Sequence, residues 1–140
     1  VIVLDTNVLS ELMRAEPDPH VESWIAARPA SSLFVTTVTQ AEILYGVALL
    51  PAGKRRDRLS LAVDGLFEQD FADRLLPFDE AAAREFADIA FSRRRRGLPI
   101  SQFDAQIAAI TKSRGATLAT RNVADFLHCG LTVIDPWLEK

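Results

Sequence analysis

The chain has 140 residues, 49% hydrophobic and 25% charged, with a formal net charge of −3. That length suits one domain over residues 1–140, and the apolar content excludes a disordered chain. The longest nearly apolar stretch, Ile43 to Ala52, is half the roughly 20 residues of a membrane span, and the lone Cys129 excludes a disulfide framework and suits a reducing, cytoplasmic compartment.

Val1-Ile2-Val3-Leu4 opens the chain as a short apolar strand, with no charged-then-apolar leader pattern ahead of it. A short helix is predicted near Val8 to Arg14, and another from Pro19 to Ala27 with Val21, Trp24 and Ile25 on one face. Leu33 to Val38 reads as a second strand and Thr39 to Leu50 as a helix. Pro51-Ala52-Gly53 is a turn between helices, and Lys54 to Phe71 carries Leu59, Val63, Leu66 and Phe67 at helical spacing. Leu75 to Phe78 is a weak strand that Pro77 confines to a sheet edge. Helices follow over Glu80 to Arg96 and Ser101 to Arg114, stopped by Gly97 and Gly115. Ala116 to Thr120 and Leu131 to Ile134 are the last strands. Runs that are apolar throughout suit strands covered on both faces. Their alternation with helices predicts an α/β fold of three layers, α/β/α, around a parallel sheet of four or five strands.

Ligands of open α/β sheets bind beyond the carboxyl ends of the strands. There the chain supplies Asp5-Thr6-Asn7, then Glu42, Asp104, Asn122 and Asp125. Singly, these acids have structural explanations. Thr39-x-x-Glu42 and Ser101-x-x-Asp104 match capping boxes, and Asp5 or Asn7 suits a helix cap. Capping does not explain why Asp5 emerges directly from an apolar strand. Carboxylates gathered together raise one another's pKa, and a divalent cation removes that cost. Oxygen donors alone favour Mg²⁺, or Mn²⁺, over zinc, for which His20, His128 and Cys129 lack ligand spacing. Such an ion polarises phosphodiesters and activates water. A phosphotransfer site fits less well, because the second acid expected two residues after Asp5 is Asn7, and Thr39-Gln40 follow the second strand.

Four segments then carry a resemblance, in order and over nearly the whole chain. They are Val3-Leu4-Asp5-Thr6-Asn7-Val8-Leu9-Ser10, Thr39-Gln40-Ala41-Glu42-Ile43-Leu44-Tyr45-Gly46, Phe103-Asp104-Ala105-Gln106-Ile107-Ala108-Ala109 and Ala119-Thr120-Arg121-Asn122-Val123-Ala124-Asp125-Phe126. The chain resembles the PIN domain, and most the ribonuclease toxins of VapBC-type toxin–antitoxin pairs. Leu76-Pro77-Phe78-Asp79 and Val133-Ile134-Asp135-Pro136-Trp137 are similar to the FitB branch. The resemblance implies an Mg²⁺-dependent endoribonuclease with Asp5, Glu42, Asp104 and Asn122 as catalytic positions. Asp5 and Asp104 would hold the metal, and Glu42 would help position it or the attacking water. The fourth position is often Asp in the family and is Asn122 here, a neutral and weaker donor, with Asp125 as the candidate substitute. That departure is what supports the alternative, a weak or inactive PIN-like module that only binds its antitoxin. Thr6, Asn7, Thr120 and Asp125 would support the ligands. The resemblance also implies a homodimer and a VapB- or FitA-like antitoxin, through which a larger assembly would sit on operator DNA.

Eight of the 16 cations fall in Lys54–Arg58 and Arg93–Arg96. The second group sits favourably at a helix C-terminus and needs no function, although it lies close before Asp104. The first group sits unfavourably at a helix start, which points to phosphate or an acidic partner. Lys54, Arg55, Arg56, Arg93 and Arg94 are the candidate RNA contacts. Trp24 and Trp137 read first as packing residues, with stacking on RNA bases the lesser alternative. Leu49, Leu50 and Leu61 fall off the apolar stripes and point to a partner surface.

Overall fold

The computed structural model describes residues 1–139. Five strands form one all-parallel sheet: β1 (Ile2–Leu4), β2 (Leu33–Thr36), β3 (Leu75–Leu76), β4 (Thr117–Ala119) and β5 (Val133–Ile134). Their spatial order is β3-β2-β1-β4-β5, with Ile2 opposite both Leu33 and Thr117. The weak strand before Pro77 is an edge, as its proline requires. The helices are α1 (Thr6–Leu12), α2 (Pro19–Ala26), α3 (Thr37–Ala48), α4 (Lys54–Gly65), α5 (Glu80–Arg95) and α6 (Gln102–Ser113).

Side chains alternate along each strand between two cores, one on each face of the sheet. Val3, Phe34 and Leu118 join Ile89, Ile107 and Ile110 of α5 and α6 on one face. Leu4, Val35 and Ala119 join Val8, Leu9, Val21, Ile43 and Val63 of α1 to α4 on the other. This two-sided burial is why the strands are apolar at every position but Thr36 and Thr117.

Several boundaries differ from the sequence expectation. The second strand stops at Thr36, whose hydroxyl accepts from the Thr39 amide at 3.0 Å, so α3 starts two residues before Thr39. The fourth helix gives way to a π turn over Leu66–Asp70, where Phe71 N donates to Leu66 O, five residues back. That widening leaves both Phe67 and Phe71 buried in the α1–α4 core. Gly97 and Gly115 end α5 and α6 with φ of 71° and 62°, a left-handed geometry that glycine adopts without steric cost.

Chain order reverses at β1. From it the chain runs outward through β2 to the β3 edge, then returns to add β4 and β5 on the other side. The crevice at the carboxyl ends of β1 and β4 is therefore the topological switch point of the sheet.

Candidate active site

Asp5 is the first residue beyond β1, and its amide still donates to Ala119 O of β4 at 2.9 Å. It caps α1, with Oδ1 accepting from Thr6 N at 2.8 Å. Its other oxygen accepts from the Thr120 hydroxyl at 2.7 Å and from Asn7 Nδ2 at 3.3 Å. Asn7 also donates to Thr120 Oγ1 at 3.1 Å and accepts from Arg121 N at 3.2 Å. Asn7 is thus no helix cap; it ties the end of β4 to the end of β1.

Glu42 is not the acid of a capping box. Thr39 lies inside α3 and Thr36 is the cap. Glu42 Oε1 instead accepts from the Thr6 hydroxyl at 2.8 Å, and Thr6 Oγ1 also contacts Thr39 Oγ1 at 2.9 Å. The carboxylate is held toward β1 by a residue 36 positions away. At α6 the capping reading holds in part: Ser101 Oγ accepts from Asp104 N at 3.1 Å. Asp104 nonetheless faces the same cavity as Asp5, Thr6, Asn7, Glu42 and Asn122, a cleft of about 500 Å³.

Burial pushes the Asp5 carboxyl up to about 6, against the opposing hydrogen bonds from Thr120 and Thr6; Asp104 and Glu42 push it further in the same direction. Asp104 is also raised, first by its burial and then by the nearby Asp125, while its Ser101 hydrogen bond and the Arg93 charge oppose the shift. Asp5 therefore binds its proton more tightly in the folded chain than at its ordinary value of 3.8. The metal-free fold gains stability from that proton at low pH and loses it as pH rises through about 6. In chelator, the Tm of the wild type should fall relative to that of Asp5→Asn between about pH 4 and pH 7. Mg²⁺ should restore the wild type and leave the variant unmoved. Parallel melting curves for the two chains across that range would refute the assignment.

Among the described residues, no three His, Cys, Asp or Glu side chains are gathered tightly enough to chelate an ion by themselves. The acids lining the cleft offer oxygen donors only, the chemistry that Mg²⁺ takes from one or two carboxylates and several waters.

Asn122 N donates to Thr120 Oγ1 at 3.1 Å, and its side chain lines the cleft. Asp125 does not line it. It lies within the turn Val123–Phe126, near enough to Asp104 to raise that carboxyl, and it caps no helix.

The basic residues separate sharply. Arg93 is buried, and its guanidinium donates to Leu98 O at 2.7 Å, Asp125 O at 2.7 Å and Leu127 O at 2.8 Å. It is therefore no solvated helix end, and with Nε and Nη1 given to three backbone carbonyls it is badly placed for the RNA contact expected of it. Arg94 is exposed. On α4, Arg55 lines an adjoining cleft of about 910 Å³ that shares Thr6, Ser10, Arg14 and Glu42 with the acidic one. Arg58, Leu59 and Ala62 follow at helical spacing on the same wall, whereas Lys54 and Arg56 face elsewhere.

Glu11 and Arg121 had no role in the sequence reading, and Trp137 was expected to be a packing residue. Glu11, buried on α1, accepts from Arg14 and from Asp18 N at 3.0 Å. Arg121 and Trp137 both line the acidic cleft. An acid within the Val8-Leu9-Leu12 stripe was a legible signal for Glu11; nothing in the sequence joined Arg121 to Trp137. Trp24 is a buried packing residue, as expected. Cys129 is buried and its thiol is pushed up by that burial, so it is no nucleophile.

An acid-lined crevice at the switch point of a five-stranded parallel sheet defines a class, and the comparisons agree with it. The chain belongs to the PIN domain family, which matches residues 2–128. It is 42% identical over 137 residues to the VapC ribonuclease Y4jK of Sinorhizobium fredii, covering 98% of each chain. Toxin FitB of Neisseria gonorrhoeae is 36% identical, with 98% of this chain and 99% of FitB covered. Among solved structures, FitAB bound to an IR36 DNA fragment superposes with a TM-score of 0.94 at 35% identity, covering 100% of this chain and 98% of that one.

Proposed function

We propose that this protein is the endoribonuclease toxin of a type II toxin–antitoxin pair and that it cleaves RNA with the help of Mg²⁺ or Mn²⁺. One observation carries the reading. Asp5, Glu42 and Asp104, from three distant parts of the chain, line one crevice, and residues with no capping duty there orient the first two. The relatives named VapC ribonuclease and Toxin FitB support it.

A bound Mg²⁺ supplies the Lewis acidity that polarises a phosphodiester and makes water nucleophilic at neutral pH. Asp5 and Asp104 would hold it. Thr120 and Asn7 fix one oxygen of Asp5, and Thr6 N fixes the other, so the carboxylate cannot rotate away. Glu42, oriented by the Thr6 hydroxyl, would align the attacking water. The products would be 5′-phosphate and 3′-hydroxyl ends. Asn122, a neutral neighbour of the two metal-holding acids, favours one ion over two.

A VapB- or FitA-like antitoxin would cover the larger cleft. Its walls join Ile43, Val47 and Leu59 to Arg55 and Arg58, an apolar groove with a cationic rim suited to an acidic amphipathic segment. Leu44, Leu49 and Leu61 are exposed on the same two helices. We also infer a homodimer, assembly on operator DNA through the antitoxin, and a cytoplasmic site of action. No described helix is long and apolar enough to cross a membrane.

The test is to map the 5′ ends of cellular RNAs after brief induction, with Asp5→Asn as control. New 5′-phosphate ends at a recurring sequence, absent from the variant, are expected. No new ends, together with tight antitoxin binding, would instead make the chain a binding module.

A further inference from the structure

Arg121 stands apart from the six arginines that already hold hydrogen bonds, and from the other unpaired ones by its place in the acidic cleft. Arg14, Arg28, Arg74, Arg84, Arg93 and Arg114 each donate side-chain hydrogen bonds to a carboxylate or carbonyl. The Arg121 guanidinium makes neither a hydrogen bond nor an ion pair among the described residues. It lies over the Trp137 ring at 5.0 Å from the centroid, and both side chains line the acidic cleft. An aromatic platform holds a guanidinium by one face and leaves its N–H edge available to an oxyanion.

The backbone beneath it is fixed by the same atoms that fix the metal-holding acid. Arg121 N donates to Asn7 Oδ1, and Asn7 donates to Asp5 Oδ2 and to Thr120. The residues on either side are tied as well. Thr120 N donates to Ile134 O at 2.9 Å, and Asn122 N donates to Thr120 Oγ1. Trp137 packs against the core beside Ile134, with its amide donating to Asp135 Oδ1 at 2.9 Å. A cation with unspent donors is thus held in fixed register with Asp5, at the end of β4 and so across β1 from β2. Arg55 and Arg58 line the neighbouring cleft, on the Glu42 side.

We propose that Arg121, seated on Trp137, is a phosphate-binding positioning residue that clamps the RNA backbone next to the bond being cut. The inference rests on the ribonuclease reading above. The carboxylates repel a bare phosphodiester, and a cation locked beside them offsets that repulsion on one side of the metal and sets the strand's register.

The experiment pairs cleavage of the RNA identified by end mapping with salt-dependent binding of a fluorescent single-stranded RNA of mixed sequence to the non-cleaving Asp5→Asn chain. Arg121→Ala should lower kcat/KM by about 10- to 100-fold and flatten the slope of log affinity against log salt by about 0.7, the loss of one phosphate contact. Arg121→Lys should keep the slope but recover only part of the rate, because an ammonium lacks the planar face that stacks. Trp137→Leu should cost nearly as much as Arg121→Ala, and the double variant little more than either. An unchanged salt slope, additive losses in the double variant, or a loss confined to antitoxin binding would each overturn the clamp. If the wild-type chain cleaves no RNA, the ribonuclease reading fails instead, and the two failures are distinguishable.

Discussion

Asp5→Asn is expected to lower RNA cleavage by about 10³-fold or more, the scale of losing Lewis-acid stabilisation worth several kcal/mol. The fold should survive. An asparagine side chain is nearly isosteric with aspartate, and its carbonyl oxygen can still accept from Thr120 or from Thr6 N. At neutral pH in chelator the variant should melt above the wild type, because the charge it removes is disfavoured by burial. Asp104→Asn should lose activity to a similar degree with a smaller effect on Tm, since Asp104 is less buried than Asp5. Lost activity with gained stability is the signature of a functional carboxylate, and the cap on α1 does not confound it, because asparagine caps a helix about as well as aspartate. Both quantities are measured on the same preparations. Cleavage that persists in either variant would remove the acid changed in it from the metal-holding role.

The second large effect is structural. Arg93→Met should destabilise the chain by about 3 kcal/mol, because it removes three charge-assisted hydrogen bonds made by a buried cation. For a chain of this size that is a fall in Tm of about 10 °C. The guanidinium bridges the end of α5 and the loop after β4, reaching Leu98, Asp125 and Leu127 in one fork. Arg93→Lys should recover little, since an ammonium cannot span three carbonyls in that geometry. Arg94→Ala, next door but exposed, should change Tm by no more than about 1 °C, and provides the control. Equal effects at the two positions would show that burial of Arg93 contributes nothing. Urea unfolding of the four chains is sufficient to check this.

Much of the fold was legible because its causes are local. Strands covered on both faces are apolar nearly throughout, so the runs Val1–Leu4 and Leu33–Val38 were legible as buried parallel strands, which form over Ile2–Leu4 and Leu33–Thr36. Gly97 and Gly115 stopped their helices as expected, because a left-handed terminus favours glycine wherever it occurs. The boundary at Thr36 was misplaced because Thr36, Thr37 and Thr39 are each chemically able to cap. Which hydroxyl does so depends on where β3 lets β2 stop, with Thr36 opposite Leu76 as the last pair.

The sequence by itself determined the acid inventory, the parallel α/β class and, through four ordered motifs, the family. It also showed that a net charge of −3 conceals clustered cations. Only the tertiary structure decided what each charge does. Glu42 and Asp104 had equal claims as capping acids; Glu42 is held by Thr6 across 36 residues, while Asp104 remains in a capped first turn. Arg93 and Arg94 are adjacent and chemically identical, yet one is buried among carbonyls and the other faces solvent. Arg121 met Trp137 only because β4 and β5 are neighbours in the sheet. The physical reason is common to all three. Hydrophobic periodicity is a property of the local chain, whereas a charge acquires its role from desolvation and from partners that are distant in sequence.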